Sequence, residues 1–357
     1  MKSEYRQYCD IIAHQQIVLY GIGAQFKESY KLFNKYNLLL CDSDEMKTGK
    51  IIDGNVIISP KELREKMIDD SVVVITSIRN QYEIAKFLCE QMQIPKEQVF
   101  MYTSKWYEEY VYNVDLIEKN WHRTLACAEK LADAESKKYY IDSVMARLTR
   151  NPMYLEPNPN SKVLGEYTEK VVFQKGDQIV DCGAYTGDTA ELYVDKLKGE
   201  CYVYAIEPYL KNYEKMVQRI SQKHLENKIE PLCCAVADEE TKTKIHYDES
   251  ADGMEIGLLN QSGSVQQDIY VKTIDSLFVD KKVTFIKMDI EGEEKAALVG
   301  GGHVIKKNNP KLMISGYYKI EDLWEIPETI WKINENYKIY VGHAPGVSME
   351  LEFYCAV

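Results

Sequence analysis

The segment IVDCGAYTGDT, residues 179–189, constrains the fold of this chain more than any other. A short apolar run delivers Asp181, a tight loop of Gly183, Ala184, Tyr185, Thr186 and Gly187 follows, and Asp188 and Thr189 open a helical pattern. Glycine enters backbone conformations closed to other residues and lets a loop approach a ligand closely. Strand, glycine turn and helix in that order begin a βαβ unit, which calls for a parallel sheet with helices on its faces. The C-terminal half continues the pattern. Strands are expected at 178–182, 201–206, 229–236, 283–289 and 311–316, with helices after the first, second, fourth and fifth. Residues 337–343 and 350–357 read as two closing strands joined by a Pro-Gly turn, which makes the last one antiparallel.

The N-terminal part alternates in the same way. Strands are expected at 17–24, 38–44 and 71–77, with helices after the first and around 82–93. Between them and the C-terminal half, Ile117, Trp121, Leu125 and Ala128 recur at helical spacing, as do Tyr140, Val144 and Leu148, and Ser136 is a candidate cap for the second helix. The Pro- and Asn-rich stretch 151–160 is a linker. The expected architecture is α/β: two Rossmann-like doubly wound domains, 1–104 and 161–357, joined by a helical connector and linker, 105–160.

The spacing Gly183-x-x-x-Gly187 is not the G-x-G-x-x-G of a dinucleotide site. Two carboxylates, Asp181 and Asp188, flank the loop, and a turn built for pyrophosphate should not present anions to it. S-adenosylmethionine has no phosphate and carries a cationic amino group and sulfonium, so acid beside the loop favours it. Glu207 ends the next strand, 26 residues on (181 to 207), where a carboxylate can accept both ribose hydroxyls. Glu207 also reads as an acid at a helix N-terminus, followed by Pro208. Ala235 and Val236 stand where an adenine ring would be sandwiched, with Asp238 near its exocyclic nitrogen. Asp289 ends the fourth strand at the edge where open α/β sheets place ligands, and Glu291, Glu293 and Glu294 follow. For Glu293 and Glu294 the simpler reading is compensation of the helix dipole on a solvated turn.

Together DCGAYTGDT, IEP, CAVAD, VKTIDSLF (271–278), MDIEGEE and the tail 311–343 resemble the FkbM family of methyltransferases, and 131–149 resembles the helical lead-in often found before its catalytic sheet. The resemblance covers roughly 131–357. It implies a class I methyltransferase sheet in the C-terminal domain and O-methylation of sugar or related hydroxyls. The family often has Tyr-His after the fifth strand, where this chain has Tyr317 and Tyr318. The N-terminal domain resembles small Rossmann-like domains of sugar-modifying transferases, some of which hold nucleotide-sugars. There Gly21 and Gly23 supply two glycines of a fingerprint, Phe26 stands at the third position, and Asp42 could meet a ribose.

A hydroxyl needs a base as the new bond forms. Asp289 is the first candidate by position, then Glu291 and His343; His303 reads as structural. A divalent ion on Asp289 and its neighbours is the less favoured arrangement. The net charge of −12, without a basic run, argues against nucleic acid. No apolar stretch is long enough to span a membrane, and no leader is visible, so a cytoplasmic enzyme with a small sugar or glycan acceptor is expected. A homodimer fits the surfaces that two domains present. The alternatives are an NAD-dependent oxidoreductase using the Gly21–Gly23 turn and a non-catalytic nucleotide-sugar binding protein.

Overall fold

Buried β-branched runs organise the N-terminal part. The strands β1 (Gln16–Tyr20) and β5 (Ser71–Ile75) are buried at every position, as strands covered on both faces must be. With β2 (Leu38–Cys41), β3 (Ile51–Ile52), β4 (Asn55–Ile58) and β6 (Val99–Met101) they form one sheet in the order β3-β4-β2-β1-β5-β6. It is parallel except for β3, which is antiparallel to β4. That hairpin turns on Asp53 (φ 45°) and Gly54 (φ 85°), two positive-φ residues that match the twist of the strands.

The structure, a computed structural model, describes residues 8–23, 25–77, 79–103, 111, 113–162, 166–167, 169–247, 264–342 and 350–357. Among the described residues no helix is long and apolar enough to cross a membrane. The described residues fall into two compact units, one within Met1–Leu116 and Ile141–Pro157, the other within Ile117–Tyr140, Asn158–Ala344 and Glu350–Val357. The helix Ala134–Thr149 therefore contributes residues to both.

In the second unit, a hairpin of β7 (Ser161–Lys162) and β8 (Glu166–Tyr167) precedes β9 (Asp177–Cys182) and β10 (Cys201–Ile206). Then come β11 (Ile229–Leu232), β12 (Ala235–Val236), β13 (Thr241–Tyr247), β14 (Val265–Lys272), β15 (Phe285–Met288), β16 (Lys311–Ser315), β17 (Lys338–Gly342) and β18 (Glu352–Ala356). Seven of them make the main sheet in the order β11-β10-β9-β15-β16-β18-β17, parallel except for β18, which is antiparallel to both neighbours. The expected fold class is observed. Strand order reverses at β9, whose neighbours are β10 and β15. Such a switch point opens a ligand crevice at the carboxyl ends of the strands. The run 229–236, expected as one strand, breaks at Cys233-Cys234: β11 stays in the main sheet and β12 joins a small sheet with β14 and β13.

The helices expected around 117–128 and 140–148 are present, and one expectation, the cap, needs correction. Trp121 and Leu125 are both 39% exposed, and the helix Trp121–Lys130 buries Thr124, Cys127 and Ala128. The cap of the helix Ala134–Thr149 is Asp133, whose Oδ1 accepts from the Ser136 N–H at 2.7 Å.

The helix Asp322–Ile333 carries Pro327 in its interior. Proline has no N–H, so the Leu323 carbonyl four residues earlier loses its helical donor. The buried Tyr140 hydroxyl supplies one at 2.9 Å. Tyr140→Phe should therefore cost about 1–3 kcal/mol, the cost of a buried carbonyl left without a donor. Most of that loss should disappear in a Pro327→Ala background, where the helix supplies its own N–H. Chemical denaturation of the four proteins of this cycle measures both numbers; equal losses in both backgrounds would dismiss the pairing.

Candidate active site

Register brings the site together. Cys182 pairs with Ile206 on one side and Met288 on the other, and Met288 pairs with Ile314. One residue further stand Glu207, Gly183, Asp289 and Ser315, and Ser315 pairs with Glu352 of β18. Side chains in register share a face of a sheet, so this row carries three carboxylates along the carboxyl edge. Two residues back, the same face carries Asp181 and Lys287, which are register partners.

The glycine turn is built tightly against that row. Gly183 (φ 79°) lies so close to β15 that a Cβ there would sit 1.9 Å from the Asp289 carbonyl oxygen. Gly187 (φ 78°) precedes the helix Asp188–Lys196, and a Cβ there would meet Met216 Cγ at 2.8 Å. The Gly183 and Ala184 N–H groups donate to the Ile206 carbonyl at 3.0 and 2.9 Å. Tyr185, at φ 50°, donates its N–H to Glu207 Oε2 at 3.0 Å, while Tyr209 N–H reaches Oε1 at 2.9 Å. Thr186 is buried, and Asp188 and Thr189 are partly exposed at the start of the helix.

Glu207 is 6% exposed, and burial pushes its carboxyl up to about 7 against the pull of those two N–H bonds and of Lys287. The Asn212 side chain bonds the same carboxyl, and a carboxylate with about four acceptor sites still has one left for a hydroxyl. Asp181 is wholly buried and so supports the turn from beneath. Its Oδ1 faces Lys287 Nζ at 3.3 Å, and Nζ also donates to the Gly183 carbonyl at 2.9 Å. Burial raises the Asp181 pKa although Lys287 opposes it. Burial also pulls the ammonium down, but Asp181 and Asp289 outweigh it and Lys287 stays charged. Sequence reasoning passed over Lys287. Its one signal is a charge inside the apolar strand FIKM.

Asp289 and Glu291 come together with the two tyrosines after β16. Asp289 Oδ1 accepts from Tyr317 Oη at 3.0 Å and Tyr318 Oη at 2.8 Å, and Tyr318 Oη also lies 3.1 Å from Glu291 Oε1. Burial, then Asp289, raises both phenols well above their usual range, so they remain donors. Glu291 sits at φ 59°, a left-handed conformation costly for a side-chain-bearing residue and often met at functional sites. Glu293, 3.8 Å from Lys319 Nζ, lies at the helix start. Glu294 is fully buried rather than solvated, and its Oε1 accepts the Ile290 N–H at 2.8 Å, stapling the turn that carries Asp289.

The other expected residues lie further out. Ala235 and Val236 are buried in β12, and Asp238 is exposed in the turn after it. That turn is held close to the helix Glu294–Gly300, because only glycine at 300 fits 2.0 Å from the Ala237 carbonyl oxygen. His303 is exposed, and its N–H donates to Asp275. His343 lies outside the described residues. Among the described residues no group of three or more His, Cys, Asp and Glu could hold a metal ion. A cavity of about 340 Å3 lined by Gln174, Asp177, Thr284 and Lys311 lies at the opposite, amino edge of the sheet.

In the first unit, Asp42 accepts from the Ile22 N–H at 2.5 Å, the Asp44 N–H at 2.8 Å and Lys47 Nζ at 3.0 Å. Burial raises its pKa, but these bonds more than offset that and leave it below its usual value. The carboxylate expected to meet a ribose is thus committed to its own loop.

The family model for the methyltransferase FkbM domain matches residues 181–337, from the end of β9 to the residue before β17. This chain carries an FkbM methyltransferase domain. The family implies S-adenosylmethionine-dependent methyl transfer. A crystal structure of methyltransferase FkbM from Methylobacillus flagellatus KT matches 99% of this chain and 94% of its own, with a TM-score of 0.68 and 21% identity, a likeness of fold. Weaker likenesses include a putative rRNA-methylase from Clostridium thermocellum (TM-score 0.34, 7% identity, 51% of this chain, 87% of that one). Fibrillarin of Aeropyrum pernix, solved with natively bound S-adenosyl-L-methionine, is similar at a TM-score of 0.33 and 11% identity over 52% of this chain and 67% of that one. No curated protein matches the chain's sequence. Within the FkbM domain, the matched span opens on Asp181 and contains Glu207, Lys287, Asp289 and both tyrosines.

Proposed function

We propose that this chain moves the methyl group of S-adenosylmethionine to a hydroxyl of a sugar, nucleotide-sugar or glycan-like acceptor. One observation carries the reading: a glycine turn at the switch point is ringed by Asp181, Asp188, Glu207 and Asp289, and the one lysine among them, Lys287, is bound to Asp181 and the Gly183 carbonyl. Such a turn repels a diphosphate and attracts a cation. The buried Asp188 Oδ1 and Asp181 Oδ2 lack a hydrogen-bonding partner, which fits a cationic ligand above them. Residues 183–189 and Glu207 would hold the donor, with Ala235, Val236 and Asp238 on its adenine side. The donor supplies an electrophilic methyl carbon on a sulfonium.

Asp289 and Glu291 offer acceptor oxygens, and Tyr317 and Tyr318 offer hydroxyls that both donate and accept. Such alternation suits an acceptor with several hydroxyl groups, and Asp289 orients the reacting one. Positioning and exclusion of water supply most of the rate in such a displacement.

Calorimetric titration with S-adenosylhomocysteine tests the donor site. Binding should require ionised Glu207, so affinity should rise about tenfold from pH 6 to pH 8, through the region where that carboxyl loses its proton. Glu207→Gln should bind weakly and without this rise. NAD should not compete. Competition by NAD, or affinity indifferent to both pH and the substitution, would remove the proposed donor site.

A further inference from the structure

Glu352 stands at the acceptor side of the same row, paired in register with Ser315 and Gly342. It is partly buried, and one of its oxygens, Oε2, accepts the Tyr354 hydroxyl, whose oxygen lies 2.6 Å from Ser161 Oγ. The same face presents Lys287 and Asp289 from β15, and Ser315 Oγ is buried with no partner in the row between Asp289 and Glu352. Oε2 is thus fixed by a phenol and Oε1 is left for a second proton or hydroxyl.

We infer that Glu352 takes the acceptor's proton, and that the arriving cationic donor readies it for that role. The inference rests on the proposed methyl transfer. The acceptor's O–H proton passes to Glu352 Oε1 as its oxygen bonds the methyl carbon, and the carbon–sulfur electron pair stays on sulfur. Charge balances, because the sulfonium's positive charge leaves as that proton.

Burial pushes the Glu352 carboxyl up to about 8, with Tyr354 pulling down, Glu350 and Asp289 pushing up and Lys287 pulling down. Tyr193, from the helix Asp188–Lys196, also faces it; burial, then Asp181, then Glu352, keeps that phenol protonated. Near neutral pH, Glu352 is therefore mostly uncharged in the free protein and unable to act as a base. A positive charge at the methyl-transfer point lowers its pKa and releases the proton.

Calorimetry of the full chain at pH 7, in two buffers of different ionisation enthalpy, counts protons released on binding S-adenosylmethionine and S-adenosylhomocysteine. Subtracting the second ligand, a neutral thioether, removes the contribution of Glu207, which both ligands meet alike. The excess for the sulfonium should fall by roughly half a proton in Glu352→Gln, with S-adenosylhomocysteine affinity within about threefold. Tyr354→Phe removes the bond that favours the ionised carboxyl, so it should keep the excess and move its maximum to higher pH. This second variant decides the matter if Glu352→Gln does not fold. An excess unchanged in Glu352→Gln, or a maximum unmoved in Tyr354→Phe, would overturn the assignment. If neither ligand binds the wild-type chain, the methyl-transfer reading fails first and the role of Glu352 falls with it.

Discussion

Gly183→Ala is expected to abolish donor binding and to lower stability by roughly 2–6 kcal/mol, the sum of a strained positive φ and an overpacked contact. The added methyl would lie 1.9 Å from the Asp289 carbonyl oxygen, a backbone atom that no rotamer change can move. Relief requires β9 and β15 to part where Asp289 N–H donates to the Cys182 carbonyl at 3.1 Å. The turn and the Asp289 carboxylate would therefore be displaced together. Thermal unfolding and S-adenosylhomocysteine titration read the two effects. A variant that melts within about 1 °C of wild type and still binds would show that the two strands are not held at the described spacing.

The second large effect is expected at Lys287. Lys287→Met should destabilise by about 3–5 kcal/mol, because the wholly buried Asp181 carboxylate loses its counter-charge. Asp181 already has a raised pKa in the folded protein, and removing the ammonium raises it further. A carboxyl with a raised folded pKa destabilises above its unfolded pKa, more so as pH rises to its folded value. The variant should accordingly recover part of its stability as pH falls toward 4–5. The double variant Lys287→Met with Asp181→Asn should recover most of the loss at neutral pH. Denaturation curves at two pH values check all three statements, and a loss that is independent of pH would point to packing rather than charge.

The parallel core was legible because strands buried on both faces write unbroken apolar runs, as in DQIVDC and CYVYAI. The small sheet was not. β13 (TKTKIHY) and β14 are mostly polar and bury few of their residues, so they write no apolar run. The run 229–236 looked continuous because nothing local reports that Cys233-Cys234 passes the chain from one sheet to another. Asp181, Glu207 and Asp289 were legible as ligand-edge acids because each ends a strand. What each does there depended on partners remote in sequence. Lys287 under Asp181, the tyrosine pair on Asp289 and the phenol on Glu352 are tertiary facts. Asp42 shows the converse: a carboxylate at a legible position that is held by Ile22, Asp44 and Lys47 of its own and the preceding loop. Trp121 and Leu125 kept helical spacing but face outward, since smaller residues at 124, 127 and 128 admit the neighbouring helix Asp322–Ile333.

The antiparallel placement of β18 has a consequence for synthesis. β17 precedes β18 in the chain, yet it meets the rest of the sheet solely through β18. When β17 leaves the ribosome, its partner is still enclosed in the exit tunnel, and the far side of β16 remains an open edge. β17 must wait unpaired until Glu352–Ala356 has emerged and inserted between the two. A released chain truncated within residues 343–349 should thus expose two strand edges that the full-length protein hides, a state recognisable to chaperones and vulnerable to proteases.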